Sequence, residues 1–160
     1  MVGLQATAFK TQLGPLLNGI VNYETWLPVR SMAFPGAMEL LKKYQERAPA
    51  AGTDPLGYYM PVWAYADLQV LGDAITAAQT LDDDKLAAYM HKATFKTVVG
   101  DVTFGPLGEW AEERTLAAQF QNIKSNNIDE FRDPAKETII YPAQFKSGEV
   151  IYPYENALSN

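Results

Sequence analysis

The sequence predicts a mixed α/β chain, and three observations carry that expectation. Apolar residues recur with the period of a helix around Ala37–Tyr44 and again across Pro61–Thr80. After Lys96 the pattern changes to that of a strand, with Val98, Val99, Val102 and Phe104. Prolines and glycines fall between these segments, where the chain has to reverse.

Composition sets the outer bounds. The chain has 160 residues, 48% hydrophobic and 20% charged, the usage of a globular domain. At this size folding buries roughly 68–70% of the unfolded surface, enough for one real core. With 13 Lys and Arg against 19 Asp and Glu the formal net charge is −6. The cations are scattered, so no basic face invites nucleic acid. Cysteine is absent, which removes disulfides, thiolate nucleophiles and Cys-bound zinc. No apolar run reaches the roughly 18 residues that span a bilayer. Met1–Ala8 lacks the basic flank and apolar stretch of a secretory signal, so none is expected in the sequence as written.

In order, Met1–Gln5 reads as a short strand and Ala8–Leu17 as a short helix weakened by Gly14 and Pro15. Ile20–Trp26 is strand-like, with Val21, Tyr23 and Thr25 alternating against Asn22 and Glu24. Pro35 suits the first turn of the next helix, where Ala37, Leu40, Leu41 and Tyr44 share a face. Ala48–Pro55 reads as a loop. Pro61–Thr80 is the longest helix. Ala64, Leu68, Leu71, Ile75 and Ala78 form one stripe, and Ala66, Val70, Ala74 and Ala77 a second. An apolar surface that broad predicts a central helix buried between layers.

Asp82 is placed to cap a short helix carrying Leu86, Tyr89 and Met90. Gly105-Pro-Leu-Gly108 reads as a hairpin loop joining Thr97–Phe104 to a returning strand, Thr115–Phe120. Ser125–Lys136 is polar and loop-like. Thr138–Tyr141 and Glu149–Tyr152 are short β segments, each stopped by a proline.

Catalysis finds little support. His91, the sole histidine, reads as a residue near a helix C-terminus, with no partners for a triad or metal site. Asp82-Asp83-Asp84 lacks the spacing of a calcium loop and suits a helix start. Glu109, Glu112 and Glu113 read as a solvated face rather than a catalytic carboxylate pair. No phosphate loop or nucleophile elbow is present, and Gly14–Gly19 lacks the Lys-Ser/Thr that would make it one. The aromatic cluster Tyr58, Tyr59, Trp63 and Tyr65 is more informative. At a loop-to-helix entry it supplies apolar area with polar tips, as small-molecule pockets require. The plainer reading has Trp63 and Tyr65 simply packing the helix.

Four pieces stand in a telling order: Val2-Gly-Leu-Gln5, Asn18-Gly-Ile-Val21, Tyr65-Ala-Asp-Leu68, and Gly100-x-Val-x-Phe104 followed by Gly108. In them, up to about Phe120, the chain resembles the C-terminal portion of type I periplasmic solute-binding proteins of ABC transporters, the leucine/isoleucine/valine-binding branch. The resemblance implies a partial type I periplasmic-binding-protein fold, with helices packed on a sheet plus a C-terminal antiparallel β-hairpin. It implies residues 1–27 as the end of the second lobe and a crossover, and 28–96 as the helical part of the first lobe. Residues 97–160 would cross back and supply second-lobe β segments.

The implied function is non-enzymatic and needs no cofactor. A small organic solute is captured between two lobes, in the periplasm, for an ABC permease. Gln5 lies where amino-acid-binding members often place an acid that holds the ligand ammonium. A neutral glutamine makes a contact roughly half as strong as a charge-assisted one. The implied solute therefore widens from a branched-chain amino acid to an aromatic or other carboxylic acid. Tyr59 and Met60 match the aromatic wall of the cleft, and with Gln5 they would face one cleft only when both lobes are complete. The competing reading is an autonomous α/β interaction module without ligand capture, a homo-oligomer that covers its own apolar helix face.

Overall fold

The computed structural model describes residues 3–112 and 114–158, so Met1, Val2 and the acid Glu113 lie outside the described residues. The expected strand at Met1–Gln5 is replaced, from Gly3 on, by bends and turns. The Gln5 amide ties this loop down, accepting from Gly3 N at 2.9 Å and donating to Tyr23 O at 2.7 Å.

Helix α1 (Thr7–Leu13) follows Ala6, which has no acceptor side chain. A distant residue takes that role: the Asp54 carboxylate accepts from Thr7 N at 2.9 Å and Thr7 Oγ1 at 2.7 Å. Gly14 ends α1 at φ 52 and opens a 3₁₀ turn over Gly14–Leu17. A Cβ at Gly14 would lie 2.6 Å from Asn126. That asparagine donates to the Thr11 and Gln12 carbonyls at 2.7 and 3.0 Å, so glycine admits the group that caps the helix.

Strand β1 (Val21–Glu24) buries Asn22 and Glu24 and turns Val21 and Tyr23 outward. Helix α2 (Ala37–Ala51) begins after Gly36, so Pro35 precedes the helix instead of occupying its first turn. The expected loop at Ala48 starts as helix. Pro49 sits in the last turn, where few backbone bonds remain to lose, and Gly52 at φ 63 closes the end on Ala48 O and Pro49 O.

Helix α3 (Pro61–Ala78) starts on its proline as expected. It packs on α2, on α4 (Asp83–Met90) and on β2 (Phe95–Thr97), all through one side. Val62, Ala66, Val70 and Ala74 are buried there at intervals of four. The expectation of burial between layers is therefore corrected: Leu68 is 67% exposed, and Tyr65 and Leu71 also face outward. The Asp82 cap of α4 is as read, accepting from Lys85 N at 3.0 Å, and His91 follows the helix in an exposed position.

The pairing of the β segments is also corrected. Thr97–Phe104 does not run as one strand against Thr115–Phe120. It folds back at Val98-Val99, so that β2 pairs antiparallel with β3 (Gly100–Val102). The turn is held by Thr97 Oγ1, which donates to Gly100 O at 2.8 Å and accepts from Val99 N at 3.1 Å. The Gly105–Gly108 turn does form, but it brings Phe104 back onto Trp110.

Strand β4 (Leu116–Phe120) pairs antiparallel with β1 on one side and with β5 (Glu137–Tyr141) on the other. Among the described residues these three form one sheet, in the order β1-β4-β5. Glu149–Tyr152 runs beside it without becoming a strand, because glutamine side chains replace the backbone ladder. Gln119 accepts from Ile151 N at 2.8 Å and donates to Ile151 O at 3.2 Å, and Gln121 donates to Glu149 O at 2.8 Å. A short helix α5 (Tyr154–Leu158) ends the described chain. One core joins the sheet to the helices through Trp26, Met32, Leu56 and Val62. Among the described residues no helix is long and apolar enough to cross a membrane.

Candidate functional site

The loop before α3 sorts the aromatic cluster into inside and outside. Asp54 Oδ1 accepts from Leu56 N at 3.0 Å and Gly57 N at 3.1 Å, folding the loop tightly. Gly57 sits at φ 70, and a Cβ there would lie 2.4 Å from the Tyr44 ring, so no other residue fits. The next side chain, Tyr58, turns inward against Trp26 and donates to Phe131 O at 3.2 Å. Burial pushes its phenol pKa up to about 12. Tyr59 and Met60 then point out, 41% and 57% exposed.

Tyr59 and Met60 line an open hollow of about 440 Å³. Strand β1 contributes Tyr23, and α3 contributes Trp63, whose indole donates to Thr25 Oγ1 at 2.8 Å. Opposite stands the segment after the Gly105–Gly108 turn. Trp110 meets Trp63 edge-on at 5.2 Å, and Arg114 lies 4.4 Å from the Trp110 ring. Arg114 Nη1 donates to Val99 O at 2.7 Å, and Nη2 lies 3.9 Å from the exposed Glu112 carboxylate. Burial draws the guanidinium pKa down, and Glu112 partly opposes this. The buried Trp110 Nε1 and Arg114 Nε have no partner among the described residues. The arrangement is an apolar, aromatic wall with a half-engaged cation at its base, suited to binding.

The structure therefore brings Tyr59 and Met60 together, whereas Gln5 sits behind the wall, bonded to the Tyr23 carbonyl. Sequence reasoning missed Trp110 and Arg114. An aromatic and a cation among the acids of Glu109–Arg114 were the available signal, and the tertiary fold alone brings them to Trp63. Tyr65, by contrast, lines a larger hollow of about 730 Å³ between α2 and α3. On its rim Lys43 pairs with Glu39 at 2.7 Å, and Arg47 lines it as well.

No family model matches the chain. Leu/Ile/Val-binding protein homolog 2 of Brucella abortus (strain 2308) is 32% identical over 108 residues, which cover 67% of this chain and 27% of that protein. Leu/Ile/Val-binding protein homolog 1 of Brucella suis biovar 1 (strain 1330) is 31% identical with the same coverage. The chain thus spans about a quarter of the length of these curated relatives. Among solved structures, the leucine-, isoleucine-, valine-, threonine- and alanine-binding protein of Brucella ovis, in its closed conformation, matches 92% of this chain. The TM-score is 0.52 at 18% identity over 36% of that protein, a likeness of fold. The described helices and antiparallel sheets match part of a periplasmic-binding-protein fold, and the chain is a relative of the Leu/Ile/Val-binding proteins.

Proposed function

We propose that the chain is the C-terminal part of a two-lobed, non-enzymatic receptor that captures a small organic solute in the periplasm and delivers it to an ABC permease. The observation that carries this reading is the meeting of Tyr59, Met60, Trp63 and Trp110 around one open hollow. Such a wall offers apolar area and a few directed polar groups, the usual make-up of a solute site. In this reading Tyr59 and Met60 touch the solute, a branched-chain amino acid or an aromatic or other carboxylic acid. Gln5, buried and bonded to Gly3 N and the Tyr23 carbonyl, supports the wall from behind, and its part in solute contact is kept for the cleft formed when both lobes are complete.

The proposed lobe division is supported by the sheet. Its strands come from residues 1–27 and 97–160, and α2, α3 and α4 come from 28–96. Thermal denaturation of the longer receptor in the presence of L-leucine and of phenylacetate tests the reading. Saturable stabilisation by either solute is expected. A melting temperature indifferent to both, and to a wider panel of amino and carboxylic acids, contradicts it.

One observation favours the second reading, an oligomeric α/β module without ligand capture: Tyr65, Leu68 and Leu71 are exposed together on α3. Light scattering across a dilution series separates the two. Discrete oligomers combined with no solute response support the module.

A further inference from the structure

Arg114 is a poorly satisfied cation for so buried a position. Its side chain is 6% exposed, yet among the described residues the acid that faces it, Glu112, is 68% exposed and 3.9 Å away, beyond hydrogen-bond reach. Of the five guanidinium donors, one reaches Val99 O, and Nε has no partner among the described residues. Trp110 at 4.4 Å, Phe145 at 4.8 Å and Phe34 at 5.4 Å surround the guanidinium. Cation–π contacts of this kind offset part of the desolvation, and the unpartnered Nε–H is left for an anion.

Arg114 borders a hollow of about 400 Å³ with Phe34 and Phe145, and also the aromatic hollow with Tyr59, Met60, Trp63 and Trp110. At about 440 Å³ that space falls in the range of small-ligand sites. We propose that Arg114 is the anion anchor of this site, holding the carboxylate of a solute whose apolar or aromatic body lies against Trp63, Trp110 and Met60. The inference rests on the receptor reading and narrows it: the charge that is recognised is the acid, and the ligand is a carboxylate with an apolar body. The exposed Glu112 then acts as a weak internal competitor that the solute carboxylate displaces.

Nuclear magnetic resonance on the 160-residue chain reads the contact directly, at affinities too weak to move a melting curve. Phenylacetate is titrated against its neutral isostere phenylacetamide. The expected result is a saturable shift of the Trp63 and Trp110 indole and Arg114 Nε–H signals with the acid, at least about tenfold weaker with the amide. Arg114→Gln should weaken phenylacetate by about the same factor, and Arg114→Lys should restore it in part. Glu112→Gln, an exposed change that leaves the core alone, should tighten it a few-fold.

Equal responses to acid and amide, or none to either, overturn the inference without relying on any variant. So does phenylacetate binding that Glu112→Gln leaves unchanged. Leucine binding by the longer receptor that survives Arg114→Gln at full strength removes the anchor and leaves the receptor reading standing. An acid-selective shift at Arg114 in the chain, with no solute response in the longer protein, removes the receptor reading and leaves the anchor.

Discussion

The sheet and the long helix treat polarity in opposite ways. Beneath β1 and β5 the protein buries charge: Lys10 and Glu24 are fully enclosed, and Lys10 Nζ lies 2.5 Å from Glu137 and 3.8 Å from Glu24. On the outer side of α3 it displays hydrocarbon at Tyr65, Leu68 and Leu71. The sheet buries these ions beside partners from its own chain, although Glu24 Oε2, Glu137 Oε1 and Asn22 Oδ1 are left without one among the described residues. The Tyr58 and Phe120 rings lie 5.6 Å from Lys10 Nζ, and Asn22 donates to Glu24 at 2.9 Å. Two carboxylates share one ammonium in an enclosed site, so one of them holds a proton. Burial first, and then the Glu137 charge, push Glu24 up to about 10, with Lys10 opposing. Helix α3 buries Val62, Ala66, Val70 and Ala74 against α2, α4 and β2 and leaves Tyr65, Leu68 and Leu71 partly or largely exposed. The difference teaches that polar side chains are buried where other parts of the chain meet them, whereas the outer side of α3 leaves apolar side chains exposed.

Breaking the sheet side should have the largest effect. Lys10→Met leaves two buried carboxylates without their cation and should lower unfolding free energy by about 3–5 kcal/mol, read as a fall in urea midpoint. A change under about 1 kcal/mol would mean the cluster is solvated.

Next comes the pH profile. Glu24 takes up a proton on folding, its folded value of about 10 standing above the ordinary 4.5 of a glutamate. The folded state therefore binds more protons between those values, and stability falls as pH rises through that window. Glu24→Gln, which mimics the neutral acid, should flatten this slope at little loss of stability near neutrality. Urea denaturation at several pH values checks it, and an unchanged slope would place the proton elsewhere.

Asp54→Asn probes a smaller link between the two regions, since Asp54 caps α1 and also folds the loop leading to α3. Burial raises its pKa, but the bonds from Thr7, Gly57 and Leu56 outweigh this and hold it below 3.8. Its contribution is present above that value and fades as pH falls through the folded pKa. Loss of the cap should lower stability by about 1 kcal/mol, trimmed by solvent screening at this half-exposed position. Thermal melts at neutral and acid pH are the check, and the deficit should shrink in acid.

The smallest effect is expected on the helix side. Leu68→Ser with Leu71→Ser should change stability by no more than about 0.5 kcal/mol per site while reducing self-association in light scattering. A large loss of stability would show that this face is already covered.

Legibility followed the range of the interactions. The Pro61 start, the Asp82 cap and the Gly105–Gly108 turn were readable because each depends on a few neighbouring residues. The partners of β4 were not, since β1 lies almost a hundred residues earlier and nothing local selects it over β3. The pseudo-strand at Glu149–Tyr152 was half legible: its extended course was read, but not that Gln119 and Gln121 side chains would replace the ladder. Lys10 gave no hint of burial, because its acids arrive from two distant strands. At the candidate site Tyr59 and Met60 were expected from the family resemblance, and the fold sets both on one open hollow. Trp110 and Arg114 became visible only when folding set them against Trp63.

Amide hydrogen exchange tests the central contrast most directly, comparing the 160-residue chain with the proposed two-lobed receptor, with and without solute. The account predicts equal, high protection of β1 and β4 in every state. It also predicts that the Tyr59–Trp63 turn and α3 gain protection in the longer protein, with a further gain at the turn when solute binds. Protection of the turn and α3 that is already complete in the isolated chain, together with tight stoichiometric solute binding by that chain alone, would contradict it.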